Sequence, residues 1–159
     1  MRMLRRLTVV TLAASVPCAK GHDFHAGAIA VDRARTAPSV VGQREDAAFM
    51  TITNDGKDDV LVGATCSVAN SVELRAAIPI EGGTKVRTVE AIPIPANTTL
   101  EFKPQGYHLA FIGLNYSFAP GERIAATLKL SSGIELPVEF QVEEAASGSS
   151  GPAMATKAN

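Results

Sequence analysis

The stretch that decides the fold is Ile134-Glu135-Leu136-Pro137-Val138-Glu139-Phe140-Gln141-Val142. Apolar side chains occupy every second position, and the positions between them hold Glu, Pro or Gln. Because successive side chains of a strand point to opposite faces, this alternation predicts a β-strand with one buried face and one wet face. A core built from such strands belongs to the all-β class.

The same period of two extends upstream. Ile124, Ala126, Leu128 and Leu130 repeat the alternation one predicted hairpin earlier, across a turn at Ser131–Gly133. Further candidate strands cover residues 28–32, 48–54, 60–65, 71–77, 85–89, 98–103 and 107–114, separated by clusters of Gly, Pro, Asn and Asp. Seven or more short strands with this spacing predict a Greek-key β sandwich.

The two ends of the chain differ from this body. Residues 1–19 begin with arginines, continue in an apolar run over residues 7–16, and end in Pro17-Cys18-Ala19, which is typical of a secretory signal peptide. The run is far shorter than the ~20 residues that cross a bilayer. A lipoprotein cleavage box fits poorly, because Ser15-Val16-Pro17 precedes Cys18.

These features predict four segments: a signal peptide (1–19), an N-terminal arm (20–26), the β-sandwich domain (27–143) and a disordered tail (144–159) rich in Ala, Ser and Gly. We expect an exported, periplasmic protein that is monomeric and has no membrane span once the signal is removed.

Composition argues against two function classes. The 159 residues include 15 Lys+Arg against 16 Asp+Glu, no Trp and 5% aromatics, so the chain lacks both a cationic stripe and the stacking rings of a nucleic-acid binder. With three histidines, no Ser-His-Asp order, phosphate loop or metal-hydrolase helix motif can be drawn. We therefore expect no enzymatic activity.

Several motifs in fixed order carry a resemblance. They are Ala47-Ala48-Phe49-Met50-Thr51-Ile52-Thr53-Asn54, Leu61-Val62-Gly63-Ala64, Val72-Glu73-Leu74, Ile92-Pro93-Ile94-Pro95-Ala96 and Lys103-Pro104-Gln105-Gly106-Tyr107-His108-Leu109. Together they resemble the periplasmic copper chaperone family PCuAC over about residues 22–142. The resemblance implies a cupredoxin-like β sandwich that carries copper to partners in respiratory oxidase assembly.

That resemblance also implies a ligand set of His (or Met), Met, and His-x-Met, with ten and then twenty-one residues between donors. Such thioether and imidazole donors suit soft Cu(I). In this chain the four positions are Arg75, Val86, His108 and Ala110. Arginine stays protonated, and Val and Ala have no lone pair, so His108 alone keeps a donor.

Two readings of His108 stay open: a metal ligand, or a hydrogen-bonded structural group near solvent at the start of a strand. The arm offers a second candidate copper site. If cleavage follows Ala19, Lys20-Gly21-His22 begins the mature chain and offers a square-planar Cu(II) or Ni(II) site, to which His25 adds an axial donor.

Two hypotheses for function follow. The first is an exported copper-binding chaperone that uses His108, His22 and His25 to supply cytochrome c oxidase assembly. The second is a family relative that has lost the Cu(I) site and acts as a periplasmic interaction domain. Cys66 is predicted to be a core residue, because it lies in the apolar stretch 60–68 with no base or second ligand near it in sequence. Met50 is predicted to be a core residue, because it lies mid-strand in phase with Ala48 and Ile52.

Overall fold

The computed structural model describes residues 24–144. The predicted signal peptide, His22 and all but the first residue of the predicted tail lie outside that range. The described chain forms strands and no helices. The strands are β1 Phe24–Ala26, β2 Ile29–Thr36, β3 Glu45–Asn54, β4 Asp59–Cys66, β5 Ala69–Ile80, β6 Gly83–Val89, β7 Ile92–Ile94, β8 Thr98–Glu101, β9 Tyr107–Leu114, β10 Arg123–Leu130 and β11 Glu135–Val142.

The strands form one hydrogen-bonded sheet in the order β6-β5-β9-β3-β2-β11-β10-β4-β7, with β1 added beside β2 and β8 beside β3. Neighbours are antiparallel except β11 and β2, which pair in parallel through Gln141↔Arg35 and Val142↔Thr36. This short parallel pairing joins the two halves of the sheet, which fold so that one packs against the other. Phe111 of β9 meets Phe140 of β11 edge to face, with ring centroids 5.5 Å apart, so the two halves pack as a sandwich.

The core lies between these halves and follows the predicted alternation. In β11, Leu136, Val138, Phe140 and Val142 are buried, while the residues between them are exposed. Met50 is 1% exposed and belongs to the core, as its sequence phase predicts. The all-β class and the sandwich architecture predicted from the sequence are therefore confirmed.

A bulge in β2 explains why the sequence pattern stops short there. The pairing of β2 with β3 shifts register between Asp32 and Arg35, and Arg33 adopts a φ of +51°. The buried positions change phase at this point, from Ile29 and Val31 to Ala34 and Thr36. One extra residue in a strand has this effect, so the strand predicted to end at Asp32 continues to Thr36.

The predicted N-terminal arm needs a correction. Phe24–Ala26, assigned to the arm over residues 20–26, form β1 and pair with β2 through Phe24↔Val31, His25↔Ala30 and Ala26↔Ile29. Half-buried Phe24 and Ala26 pack against the core, and this burial holds the segment in place. Three residues are too few for a period to be recognised in the sequence.

Candidate functional site: an ion-pair cluster at the chaperone ligand positions

The four positions that correspond to the PCuAC ligands lie on one face of β6, β5 and β9. Arg75 of β5 is directly opposite His108 of β9, and Ala110 is opposite Glu73, two residues before Arg75. Val86 of β6 is opposite Ala77, two residues after Arg75. Directly opposed residues, and residues two apart in a strand, point to the same face.

The guanidinium of Arg75 is held by two carboxylates. Its Nε and Nη2 donate to Oε2 of Glu73 at 3.1 and 3.0 Å. Nη2 also donates to Oε2 of Glu45 at 3.2 Å, and Nη1 pairs with Oε1 of the same carboxylate. Thr88 donates its hydroxyl to Glu73 Oε2 at 3.1 Å. We call Glu45, Glu73, Arg75 and Thr88 the Arg75 cluster.

The members of the Arg75 cluster lie on β3, β5 and β6, so the cluster spans four neighbouring strands, β3, β9, β5 and β6. Glu45 lies on β3 and Arg75 on β5, with β9 between them. Ala47 of β3 and Ala110 of β9 are opposite each other, at a position along the strands between Glu45 and Arg75. Ala110 is buried. Their small side chains leave room for the long Arg75 and Glu45 side chains to meet above β9. A methionine at position 110 would compete for that space.

The two carboxylates stabilise the protonated form of Arg75. Hydrogen bonding to Glu45 raises the pKa of the guanidinium above its ordinary value, against the opposing effect of burial, and Glu73 adds to the rise. The side chain is 20% exposed. Arg75 is therefore a fixed and locally neutralised cation, bound within its own domain.

His108 is buried, which corrects the expectation that it lies near solvent at a strand start. The residue is 7% exposed because β9 is an interior strand, with β5 on one side and β3 on the other. The Phe49 ring lies beside the imidazole, at a centroid distance of 6.2 Å. Its Nδ1 is 3.3 Å from the carbonyl oxygen of Gly106. Sequence alternation gave the correct face but could not show what covers it.

These residues do not fit a Cu(I) ion of the family type. Arg75, Val86 and Ala110 offer no lone pair, because a protonated guanidinium is a hydrogen-bond donor and the other two side chains are hydrocarbon. Cu(I) prefers thioether, thiolate and imidazole donors, and this face holds a single imidazole. Within residues 24–144 no group of three His, Cys, Asp or Glu side chains is placed to hold a metal ion.

The remaining candidate ligands do not converge with His108. His25 is exposed and opposite Ala30, which pairs with Thr53 of β3. His108 lies on the other side of β3, beside Phe49. Four residues along β3 and three strand spacings across the sheet correspond to roughly 20 Å in a flat sheet, too far for one coordination sphere. His22 lies outside the described residues.

Cys66 is half-buried at the end of β4 and packs against the core, so its predicted core position is met only at the core's margin. Burial raises the pKa of its thiol, although backbone N–H groups of Val68, Ala69 and Ser67 oppose the rise. A thiol with a raised pKa is a weak nucleophile and a weak metal ligand.

Solved structures that resemble this chain include a PCuAC domain and a protein determined with and without Cu(I). The copper-bound PCuAC domain of PmoF2 superposes with a TM-score of 0.66 over 78% of this chain and 99% of that domain, at 19% identity, which shows the shared fold. Apo-DR1885 from Deinococcus radiodurans is 30% identical, with a TM-score of 0.59 over 92% of this chain and 100% of that one. Its Cu(I) form is 28% identical, with a TM-score of 0.58 over 83% of this chain and 82% of that one. The fold is therefore that of a PCuAC domain, and the cupredoxin-like sandwich that the resemblance implied is confirmed.

The sequence comparison gives the family itself. The model of the family described as "Putative lipoprotein LpqE-like" matches residues 29–142. The chain belongs to this LpqE-like, PCuAC-type family. A relative from Leifsonia xyli subsp. xyli (strain CTCB07), named "Putative lipoprotein Lxx21020", is 32% identical over 105 residues. That alignment covers 65% of this chain and 63% of the relative, less than two thirds of its length.

The predicted membership of the PCuAC family is thus confirmed. No helix in the range 24–144 has the length and apolar character needed to cross a membrane. The Arg75 cluster was only partly visible in the sequence. Glu73 and Arg75 are two residues apart, which places them on one face of any strand, but nothing local connects Glu45 to them.

Proposed function

We propose that this protein is an exported, non-enzymatic interaction domain built on the PCuAC fold, in which the Arg75 cluster has replaced the copper site. One observation carries the proposal: the side chain at the first ligand position is a guanidinium bonded to Glu45 and Glu73 across the face where the other ligand positions lie. The cluster lacks the thioether and imidazole donors of the family, and its side chains also cover the face on which the four ligand positions lie.

The energetics support this reading. The Arg75 guanidinium is neutralised by two carboxylates, and its hydrogen bonds to Glu45 are bidentate. Opening the face for a copper ion would break these bonds and leave the Glu45 and Glu73 carboxylates, on β3 and β5, without their cation. Releasing the guanidinium therefore destabilises the domain, and a single bond between copper and the His108 imidazole does not offset that loss.

A second candidate is copper carriage to an oxidase assembly partner, with His108 as the protein ligand. It is favoured by the likeness to DR1885, whose structure in the Cu(I) form shares this fold at 28% identity. In that case the partner or an exogenous ligand must complete the coordination of the ion, because the described face supplies one nitrogen.

Competition for Cu(I) separates the two candidates. The purified chain is titrated anaerobically against a strong chromogenic Cu(I) chelator, beside a His108→Ala variant and a matched Phe49→Leu variant that leaves the imidazole in place. We expect no copper to be withheld from the chelator by any of the three proteins. Retention by the unaltered chain and by Phe49→Leu, but not by His108→Ala, would establish the second candidate instead.

The cellular location forms part of the proposal. The family and the Leifsonia relative carry lipoprotein names, and export is consistent with both a cleaved signal peptide and a lipid anchor on Cys18. The cleaved periplasmic form is the one that the Ser15-Val16-Pro17 sequence favours. Intact mass of the protein isolated from its native cells distinguishes them, because a diacylglyceryl cysteine would add the mass of its acyl chains.

A further inference from the structure

The β5–β6 hairpin has an open edge that the rest of the fold does not use. β6 is the terminal strand of the sheet order, and within the described chain β5 is its sole strand partner. Of its seven residues, Gly83 to Thr88 are exposed and Val89 is half-buried. The sheet pairs β5 with β9 no further than Ala76↔Tyr107, so the hairpin tip extends beyond its neighbour.

The hairpin register shows which backbone groups are unused. Ile80 and Gly83 flank the two-residue turn Glu81-Gly82 and therefore form a hydrogen-bonded pair. Hydrogen-bonded positions alternate along an antiparallel ladder. Gly83, Lys85 and Arg87 thus direct their backbone groups toward β5. Thr84, Val86 and Thr88 direct theirs outward, where they form a template for one more strand.

The opposite end of the sheet is protected by contrast. Its terminal strand, β7, is three residues long and carries Pro93 at its centre. Proline has no backbone N–H to donate, and short edge strands give little room for pairing. Of the two terminal strands of the described sheet, β7 is therefore protected against pairing with a further strand, whereas β6 can pair with one.

Side chains on the hairpin define what the edge selects. Lys85 and Arg87 lie on one face of β6, both exposed, and neither has an ion-pair or hydrogen-bond partner among residues 24–144. On the same face of the hairpin tip lie Ile78 and Ile80, which are 39% and 52% exposed. An extended segment added to β6 would contact these basic and apolar side chains at its alternate positions.

A second copy of this chain fits that edge poorly. If two β6 strands paired antiparallel about Val86, Lys85 of each copy would lie opposite Arg87 of the other, on one face. Sliding one strand by two residues, the smallest shift that keeps the outward-directed backbone groups paired, places Lys85 opposite Lys85 or Arg87 opposite Arg87. Like charges directly opposite are destabilising, so this edge favours a strand with acidic residues.

We propose that β6 docks an extended acidic segment of a partner protein as an added strand, with Thr84, Val86 and Thr88 supplying backbone hydrogen bonds and Lys85 and Arg87 pairing with acidic side chains at alternate positions. The inference rests on the proposed interaction function and names its surface and the chemistry of its partner. Strand addition takes its affinity from main-chain bonds and its specificity from alternate side chains.

A synthetic pair of peptides tests the docking directly. The acidic probe is acetyl-Thr-Glu-Val-Glu-Thr-Glu-Val-amide carrying a fluorophore, and the control replaces each Glu with Lys. Anisotropy titrations use the full purified chain at low ionic strength. We expect the acidic probe to bind, the basic probe not to bind, and the affinity for the acidic probe to fall as salt is raised.

Matched variants locate the site. Val86→Pro removes an outward N–H without breaking the β5–β6 ladder and should abolish binding, whereas Val86→Thr keeps that N–H and should retain it. Lys85→Glu with Arg87→Glu should weaken the acidic probe roughly tenfold or more and create binding of the basic one. These exposed side chains make no interaction in the described domain, so thermal melts of the charge variant should match those of the unaltered protein.

Three results would overturn the inference: no binding of the acidic probe, equal binding of both probes, or unchanged binding in Val86→Pro. A dimer in sedimentation equilibrium that Val86→Pro dissociates would assign the edge to self-association instead. Copper retention in the chelator assay bears on the proposed function alone, since the probe peptides contain no copper ligand of the thioether or imidazole type.

Discussion

Removing Arg75 tests whether the cluster stabilises the domain. The guanidinium makes two ion pairs, with Glu45 and with Glu73. Exposed pairs contribute about 0.2–1 kcal/mol each. The Arg75 side chain is 20% exposed, which favours the upper end, while the partners at 50% and 37% keep solvent screening in force. We expect Arg75→Ala to lower the free energy of unfolding by about 2 kcal/mol, including the lost packing of its stem.

The assay is chemical denaturation with a double-mutant cycle. Arg75→Ala, Glu45→Ala and the double variant are compared at pH 7, and the coupling between the two residues should be about 0.5–1 kcal/mol. In thermal melts the single Arg75 variant should lose roughly 5–10 °C. Lys129→Ala is the matched control, because its ion pair with Glu135, at 3.8 Å, joins side chains that are 46% and 67% exposed.

The reasoning would be refuted by a loss in Arg75→Ala no larger than in the Lys129 control, or by a coupling energy indistinguishable from zero. Either result would mean that the carboxylates do not hold the guanidinium in solution. High salt gives an internal check, since screening should reduce the measured coupling while leaving the packing contribution in place.

Three further predictions concern the scaffold. Asp59 accepts bonds from Ser132 Oγ at 2.6 Å, Val60 N at 2.8 Å, Ser131 Oγ at 2.9 Å and Ser132 N at 3.2 Å; burial raises its pKa, but these bonds together outweigh burial and lower it. A carboxyl group whose pKa is lowered by folding stabilises the folded state at pH values above its unfolded pKa, and that contribution is lost as the pH falls through the folded pKa. Asp59→Asn should therefore lower the free energy of unfolding by about 1–3 kcal/mol at pH 7, and this difference should disappear below about pH 4 in urea melts. A pH-independent difference would contradict this. Gly113 has a φ of +67°, and an added Cβ would lie 2.6 Å from Asn70 Nδ2, so Gly113→Ala should cost about 1–3 kcal/mol while Gly63→Ala, with no atom within 4 Å, changes stability by a few tenths at most; equal effects in denaturation would refute the steric argument. Cys66 should react with Ellman's reagent at pH 8 more slowly than free cysteine, because burial raises its thiol pKa; equally fast reaction would show that the thiol is fully accessible.

The fold could be predicted from the sequence because strands with one buried and one exposed face alternate apolar and polar residues. That signal located β10 and β11 and the turn between them. It weakened where the period breaks. The bulge at Arg33 reverses the phase of β2, and the three-residue β1 is too short to have one.

The candidate site was harder to predict for a different reason. Motif spacing placed Arg75, Val86, His108 and Ala110 in correspondence, and the strand register puts all four on one face. Whether those side chains are covered depends on contacts between distant strands. Glu45 precedes Arg75 by thirty residues and lies two strands away, so only the folded sheet reveals that it holds the guanidinium and that His108 is buried.

Anomalous diffraction from a crystal soaked anaerobically with a Cu(I) salt tests the central claim most directly. Our account predicts no anomalous peak beside residues 75, 86, 108 and 110, with Arg75 still bonded to Glu45 and Glu73. A fully occupied copper bound to His108, with the guanidinium displaced from both carboxylates, would contradict it.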